Sequence, residues 1–260
     1  VEAEVYAFSS FCTALVFWLA LKWENRADEP DSDRWLILIA YVMGLSLGVH
    51  LLNLLCIPAI ALVFYYRKCK NTNVWGSLGV LLLSFVIIVV ILYGLEPGFV
   101  KMAQKFDLMF VNGFGCSFNS GALFYAFLLV AVLALNLLCV YKNMSKVLTA
   151  TTFLMGVLLS GGVFFTTSVG VWVLMAIAAI VGTIFFVKLA KNYLRIMANI
   201  SLSILVIFIG FSCYALILIR SNANTPLDEN SPNNTFELAK YLSREQYGES
   251  PLFYGRTFQS

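Results

Sequence analysis

The sequence predicts an all-α integral membrane protein, a polytopic helical bundle of about eight spans that includes a short helical hairpin over residues 35–66. Hydrophobic residues make up 60% of the chain and charged residues only 12%, against roughly 45–50% and about 25% in soluble domains. Apolar runs of about 18 residues or more recur, and each is long enough to cross a hydrocarbon core of about 30 Å. The net charge of +3 is small and does not indicate a nucleic-acid partner.

The predicted spans follow from apolar runs separated by short hydrophilic connectors. One run is long enough for two crossings, and the others are each the length of one helix. The runs are Tyr6–Leu21, Trp35–Tyr66, Trp75–Leu95, Gly121–Tyr141, Val147–Phe165, Val169–Val187 and Ile196–Ile219.

The connectors indicate which ends of the spans face the cytoplasm. Three are basic, at 65–71, 141–146 and 188–195, and the mixed connector 22–34 carries Lys and Arg close to helix ends. Because Lys and Arg collect in cytoplasmic loops, all four connectors are expected inside the cell. Two runs separate each basic connector from the next, so the chain returns to the same face each time.

The run Trp35–Tyr66 is predicted to be a hairpin because both of its flanking connectors are expected on one side. As one straight helix it would be about 48 Å long, well beyond what a typical bilayer needs. Its aliphatic residues are interrupted by Gly44, Ser46, Gly48, His50 and Asn53. Irregular backbone at membrane depth needs protein or a wet cavity around it. The turn near these residues is therefore expected to line a cavity in the outer half of the bilayer.

Residues 96–120 are expected on the non-cytoplasmic side. They are too polar to span a membrane and too aromatic to be a simple linker. Apolar residues recur at helical spacing between Phe99 and Phe110, which predicts an interfacial amphipathic helix that ends in a Gly-rich loop.

The segment after the last run, residues 220–260, is also expected on the non-cytoplasmic side. Its first part is rich in Asn, Pro and Ser, which is typical of a loop or linker. Phe236–Tyr247 is predicted to be a short helix with Thr235 as its N-cap. The expected organisation is a transmembrane domain over 1–219 followed by this segment.

His50 is the single histidine of the chain and would stand at the hairpin tip, close to Asn53. One interpretation is structural, in which a buried imidazole ties the turn to a neighbouring helix. The other is functional, because ionisable residues within a membrane often mark binding sites. In that case the imidazole would hold an anionic group such as a lipid phosphate, with Asn53 beside it.

Three further residues are candidates on the outward face. Glu4 and Tyr6 lie at the start of the first span. A carboxylate there either stabilises the helix N-terminus or contacts a substrate, a metal or a general-base network. Arg220 lies at the outer end of the last span, against the inside bias of positive residues. It either extends to the membrane interface or pairs with a phosphate, the anion that a guanidinium fork suits.

No metal or cofactor is assigned from motifs. The chain has six cysteines, but most fall within apolar runs, and they show neither a disulfide framework nor a Cys/His metal spacing. Neither GxGxxG nor a P-loop occurs. A divalent metal requirement is left open.

Three stretches together resemble a known family. They are "VEAEVYAFSS" at the first span, "GLSLGVHLLNLLCIPAIAL" at the hairpin, and "RSNANTPLDENSPNNTFELAKYLSREQYGESPLFYG" after the last span. Their order resembles the bacterial (Bacteroidetes) family called domain of unknown function 2723, which is related to transmembrane protein 260, a protein O-mannosyltransferase. The family belongs to the GT-C superfamily of membrane glycosyltransferases. "REQYG" and "PLFYG" are the most specific part of the resemblance.

The resemblance implies a GT-C-like fold and a fragment of a larger enzyme. Such enzymes take a sugar from a polyprenyl-phosphate-linked donor and transfer it to a protein or glycan acceptor on the non-cytoplasmic face. The family's acidic general-base motif would lie upstream of Val1, and a soluble domain would follow residue 260. The expected location is the bacterial inner membrane, with membrane lipid as a further partner. By position in the family pattern, His50 is carried over first, with Glu4, Tyr6 and Arg220 as weaker members.

Two other classes of function are alternatives. A transporter or flippase of a lipid-linked substrate would show repeated halves and broken helices in matching positions. Only the run 35–66 is broken, and it has no evident counterpart. A non-catalytic membrane scaffold would pack through small residues such as those at 156–162, a pattern that ordinary helix contacts also produce. Glycosyltransferase is therefore the leading interpretation.

Overall fold

The chain is helical throughout the part that the structure describes. This computed structural model describes residues 2–161, 169–223, 225–226, 228–243, 245 and 248, and the side chains of residues 2–5, 169 and 172 lie outside that description. Over these ranges the α-helices are Glu2–Asn25 (α1), Asp33–Leu47 (α2), Cys56–Lys68 (α3), Val74–Val89 (α4), Glu96–Phe114 (α5), Ser120–Tyr141 (α6), Lys146–Leu159 (α7), Val169–Leu189 (α8), Tyr193–Phe211 (α9), Ala215–Asn222 (α10) and Thr235–Ser243 (α11).

Five helical stretches of the described chain are long and apolar enough to cross a membrane. The prediction of an all-helical integral membrane protein is therefore confirmed at that level. The count of about eight spans stays a prediction, because α7 and α8 provide only shorter apolar helices. The five stretches are Tyr6–Asn25, Leu51–Lys68, Val74–Phe114, Ser120–Tyr141 and Tyr193–Asn222.

The apolar run 35–66 is broken where the sequence predicts. Helix α2 ends at Leu47, and a 3₁₀ helix over Leu51–Leu55 leads into α3. At the far end of α3, Arg67 forms an ion pair with Asp28, five residues before α2 begins. Both ends of the run thus lie at the same end of the bundle, so the chain doubles back.

Helix α1 packs against both arms of this hairpin. Its apolar residues form one core cluster with residues of α2 and of the hairpin tip. The cluster includes Val16 and Leu19 of α1, Met43 of α2 and Leu54 of the 3₁₀ helix. Because these side chains are almost fully buried, the tip is held by packing as well as by hydrogen bonds.

Helices α2 and α9 run parallel and approach closely. At one end Arg195 Nε lies 2.6 Å from Asp33 Oδ2, and at the other the Tyr214 hydroxyl donates to the Leu47 carbonyl oxygen over 2.9 Å. Between them, a Cβ placed on Gly44 would lie 2.8 Å from the Ile207 Cα. Small residues let two helix backbones approach this closely in a membrane.

Helices α4 and α5 form one continuous helical stretch of 41 residues, joined by a π-helical segment over Val90–Leu95. The sequence predicts two separate elements here, a span that ends at Leu95 and an interfacial helix after it. The amphipathic part is indeed helical, but it continues from the span without a break. It ends at Gly115, whose φ of 66° is a conformation that glycine adopts without strain.

The connectors 22–34, 65–71 and 188–195 lie together at one end of the bundle. Arg67 and Arg195 pair with Asp28 and Asp33 of the first connector. Near this end, the buried Asn136 of α6 accepts from Ser201 of α9 over 2.9 Å and donates to the Thr149 carbonyl of α7. The return of the chain to one face is therefore observed, while the assignment of that face to the cytoplasm stays a prediction.

The segment after α10 folds back onto α5 and α6 through the buried Asp107. Its carboxylate accepts from the backbone N–H of Asn119 at 3.0 Å and of Gly121 at 3.1 Å, and the Thr235 hydroxyl lies 3.5 Å away. The prediction that Thr235 caps the following helix is wrong. Asn234 is the cap, because its Oδ1 accepts from Phe236 N–H and Glu237 N–H, whereas the Thr235 hydroxyl points to Asp107.

Candidate functional site

A cavity of about 750 Å³ lies at the hairpin tip, at the end of the bundle opposite the paired connectors. Its volume is within the range of roughly 300–1,000 Å³ that is typical of ligand sites. The hairpin tip forms one wall through residues 47–51, and α11 forms another through Tyr241, Leu242 and Ser243. Glu96 and Tyr214 lie between these walls.

His50 lines this cavity and also begins the 3₁₀ helix of the tip. Its Nδ1 accepts a hydrogen bond from Leu52 N–H over 3.1 Å. A nitrogen that accepts carries no proton, so in this arrangement the ring proton lies on Nε2. His50 therefore acts as the N-cap of the tip and leaves Nε2–H as a hydrogen-bond donor. The hydrogen bond to Nδ1 lies within the tip and does not join it to a neighbouring helix, and the functional interpretation of His50 stays a prediction.

Tyr6 lies beside His50. The two ring centroids are 5.5 Å apart, and the ring planes are tilted by 42°. Tyr6 stays 57% exposed, so its ring covers one side of the imidazole without enclosing it. The side chain of Glu4, two residues earlier in α1, lies outside the described residues.

Asn53 ties the hairpin tip to α1 and is 2% exposed. Its Oδ1 accepts from Ser9 Oγ at 3.3 Å and from Thr13 Oγ1 at 2.5 Å. Its Nδ2 is buried without a hydrogen-bond partner among the described residues. Asn53 does not line the cavity described above, so the structure brings together His50 and Tyr6 but places Asn53 behind them.

Arg220 is not brought to the cavity wall formed by the described residues. It is exposed in the last turn of α10. Neighbouring residues of α10 do reach the site, since Ile217 lines the cavity.

Glu96 is the cavity residue that the sequence reasoning missed. It is the first residue of α5, and its side chain is half-buried. Its carboxylate makes no hydrogen bond or ion pair with any side chain or backbone group of the described ranges. The sequence does show an acidic residue directly after an apolar run and before Pro97. At such a helix boundary an acidic residue is common, so its position alone does not indicate a binding site.

Local sequence explains why Glu96 faces the cavity. Pro97 has no backbone N–H, and its ring clashes with the carbonyl four residues earlier in a regular α-helix. The π-helical segment just before it widens the turn, and the Glu96 N–H donates to the Ile91 carbonyl. Such segments shift the face of the helix that follows, and they occur frequently at functional sites.

The remaining polar wall is neutral or acidic. Tyr241 and Ser243 of α11 contribute hydroxyl groups, and Glu229 contributes a carboxylate at the exposed rim. Within the described residues, no group of three or more His, Cys, Asp or Glu side chains could hold a metal ion. The site thus offers hydrogen-bond donors and acceptors for an organic ligand.

The fold and this site define the chain as a polytopic helical membrane protein with a polar cavity at one end of its bundle. Residues 1–73 match the family model described as the protein O-mannosyl-transferase TMEM260 N-terminal domain. The match supports a relation to TMEM260, and it covers α1, both arms of the hairpin and the tip that lines the cavity. Searches of curated proteins and of solved structures found no match.

Proposed function

We propose that the chain is part of a membrane glycosyltransferase of the O-mannosyltransferase kind, which uses a polyprenyl-phosphate-linked sugar on the non-cytoplasmic side. The observation that carries the proposal is the match over residues 1–73, since this region supplies the hairpin tip of the cavity. The size of the cavity, about 750 Å³, suits a small polar head group.

The sidedness of the site follows from charge. The connectors rich in Lys and Arg lie at one end of the bundle, and the cavity lies at the other. By the positive-inside rule the cavity end faces away from the cytoplasm. A lipid-linked donor could therefore present its head group there while its prenyl chain stays in the bilayer.

His50 would hold the phosphate of the donor. Its Nε2–H is the hydrogen-bond donor that the tip leaves available, because Nδ1 is occupied by Leu52 N–H. Donors aimed at a phosphate stabilise the charge that grows as the sugar leaves. Tyr6 packs against the same ring and would fix its orientation.

The reaction proposed is displacement at the anomeric carbon. The acceptor hydroxyl oxygen forms the new bond to that carbon, and the bond from carbon to phosphate oxygen breaks. The electron pair leaves with the polyprenyl phosphate, and a general base takes the hydroxyl proton. The role proposed for the residues described here is to bind and orient the donor.

The test is transfer by the full-length protein in detergent or vesicles, supplied with polyprenyl-phosphate-mannose and candidate acceptors. His50→Asn separates the two interpretations, because Asn is a good N-cap but offers no donor at the Nε2 position. We expect His50→Asn and His50→Ala both to lose donor binding and turnover. Asn71→Ala, in an exposed connector at the opposite end, is the control.

One outcome would overturn the proposal, and another would overturn the role given to His50 within it. The first is an absence of sugar transfer by the unaltered protein from polyprenyl-phosphate donors. The second is wild-type donor binding by His50→Asn together with reduced binding by His50→Ala, which would limit His50 to capping the tip. Arg220→Ala is measured in the same series. Arg220 is exposed, and reduced donor binding by this variant would show that it contacts the phosphate.

A further inference from the structure

The geometry points to Glu96 as the residue that binds hydroxyl groups of the donor's sugar, an inference that rests on the proposed function. Glu96 shares the cavity with His50. A sugar is bonded directly to its phosphate, so a phosphate at His50 requires the sugar to occupy the same cavity. Glu96 would then be a specificity-determining residue for the sugar.

The first reason is that the Glu96 carboxylate has no partner among the residues that the structure describes. It is half-buried, and no group in the described ranges bonds to it. Removing a carboxylate from water without a compensating hydrogen bond is costly, and such groups are therefore usually paired. A ligand with several O–H donors would supply the missing hydrogen bonds.

The second reason is that Glu96 does not serve as a helix cap. An acidic residue at a helix start commonly stabilises exposed N–H groups. Here α5 continues from the π-helical segment, and the Glu96 N–H is already bonded to the Ile91 carbonyl. With no free helix N-terminus at this point, capping does not account for a carboxylate in the cavity.

The third reason is that charge predicts which end of the ligand lies beside His50 and which lies beside Glu96. Like charges that lie close together repel each other. A phosphate is thus unfavourable beside Glu96 and favourable beside the Nε2–H of His50. A neutral sugar meets no such repulsion, and its hydroxyl groups can donate hydrogen bonds to the carboxyl oxygens of Glu96.

The cavity wall around Glu96 also suits a sugar. Tyr214 and Tyr241 contribute aromatic rings, and the apolar C–H faces of a sugar pack well on such surfaces. The Tyr214 hydroxyl donates to the Leu47 carbonyl over 2.9 Å, which holds this ring in the wall. A wall of aromatic rings with a few polar groups is typical of small-molecule sites.

The experiment measures binding of two lipids to the full-length protein, polyprenyl-phosphate-mannose and the same polyprenyl phosphate without sugar. We expect Glu96→Gln to weaken binding of the mannose-carrying lipid by about 10- to 100-fold, the loss of a charge-assisted hydrogen bond. Binding of the sugar-free lipid should stay unchanged or become tighter, because a negative charge is removed. His50→Asn should weaken binding of both lipids.

The control is Glu237→Gln, since Glu237 pairs with Lys240 on α11 and does not line the cavity among the described residues. The inference would be overturned if Glu96→Gln weakened binding of both lipids equally, or weakened binding of neither. The proposed function would still stand in that case, provided that the unaltered protein binds the lipids. If the unaltered protein binds neither lipid, the proposed function fails first. If Glu96→Gln and Glu96→Ala both lose binding of the mannose-carrying lipid and both unfold at the wild-type temperature, misfolding is excluded as the cause.

Discussion

Gly210 of α9 lies against the backbone of Gly44 of α2, so closely that a Cβ on Gly210 would stand 2.6 Å from the Gly44 carbonyl carbon. This contact lies between the ion pair of Asp33 with Arg195 and the hydrogen bond of Tyr214 with Leu47. It therefore sets the spacing of the two helices whose ends carry the hairpin tip and one wall of the cavity.

Alanine at either glycine should destabilise the protein. A methyl group has no room between the two backbones, and overpacking of this kind typically costs about 1–3 kcal/mol. We expect Gly44→Ala and Gly210→Ala to lower the thermal unfolding temperature in detergent. Gly182→Ala in α8 is the matched control, because nothing lies within 4 Å of its Cβ position and alanine favours the helix. Equal unfolding temperatures for all three variants would contradict the close contact.

Loss of the Asp107 carboxylate should release the segment that follows α10. Asp107→Ala leaves the backbone N–H groups of Asn119 and Gly121 without their acceptor, at a cost of about 1–3 kcal/mol for a buried group. Hydrogen exchange should accelerate at 119–123 and at 233–238. Asp31→Ala, an exposed aspartate whose side chain has no bond to the described residues, should leave both segments protected. Unchanged exchange in Asp107→Ala would show that packing alone holds them.

Two native cysteines report the sidedness of the bundle. Cys69 is exposed in the connector after α3, and Cys116 is half-exposed just before α6. In a Cys213→Ser background, a membrane-impermeant maleimide should label Cys116 on intact cells and Cys69 only after permeabilisation. Cys69→Ser and Cys116→Ser identify the two products. Labelling of both cysteines from one side would refute the proposed topology.

Acidification should weaken the paired connectors. The hydrogen bond from Arg67 holds the pKa of Asp28 below its usual range, and that from Arg195 does the same for the pKa of Asp33. Because these pKa values are lowered in the folded protein, both pairs contribute fully to stability above the ordinary aspartate pKa of about 3.9. Their contribution is lost as the pH falls through the lowered pKa values. Thermal stability should fall below about pH 4, and less so in Asp33→Asn. Because both pairs are exposed, the effect should be small and reduced by salt.

The hairpin could be predicted from the sequence because two independent constraints met there. The run 35–66 is too long for one crossing, and its flanking connectors require an even number of crossings. Both are local properties of the chain. The observed break between Leu47 and Leu51 falls among the polar and small residues that the sequence marked.

The contacts between distant helices could not be predicted in this way. Glycines and serines occur in several apolar runs, and their positions alone do not say that Gly44 meets Gly210. Glu96 was missed for a similar reason, because its exposure to the cavity depends on the π-helical segment before it. Thr235 was misassigned as a cap since Asp107, 128 residues away, engages its hydroxyl.

Besides Glu96, the cavity is lined by residues 47–51 and by a later set that lies far from them in the sequence, namely Tyr214, Ile217, Glu229, Tyr241, Leu242, Ser243 and Gly248. During translation the hairpin tip is therefore synthesised long before the helix that faces it across the cavity. Until the later segment has crossed the membrane and docked on α5 and α6, the tip has no opposing wall. The pocket is thus completed late in synthesis, and a nascent chain halted after α9 would carry the histidine without a pocket around it.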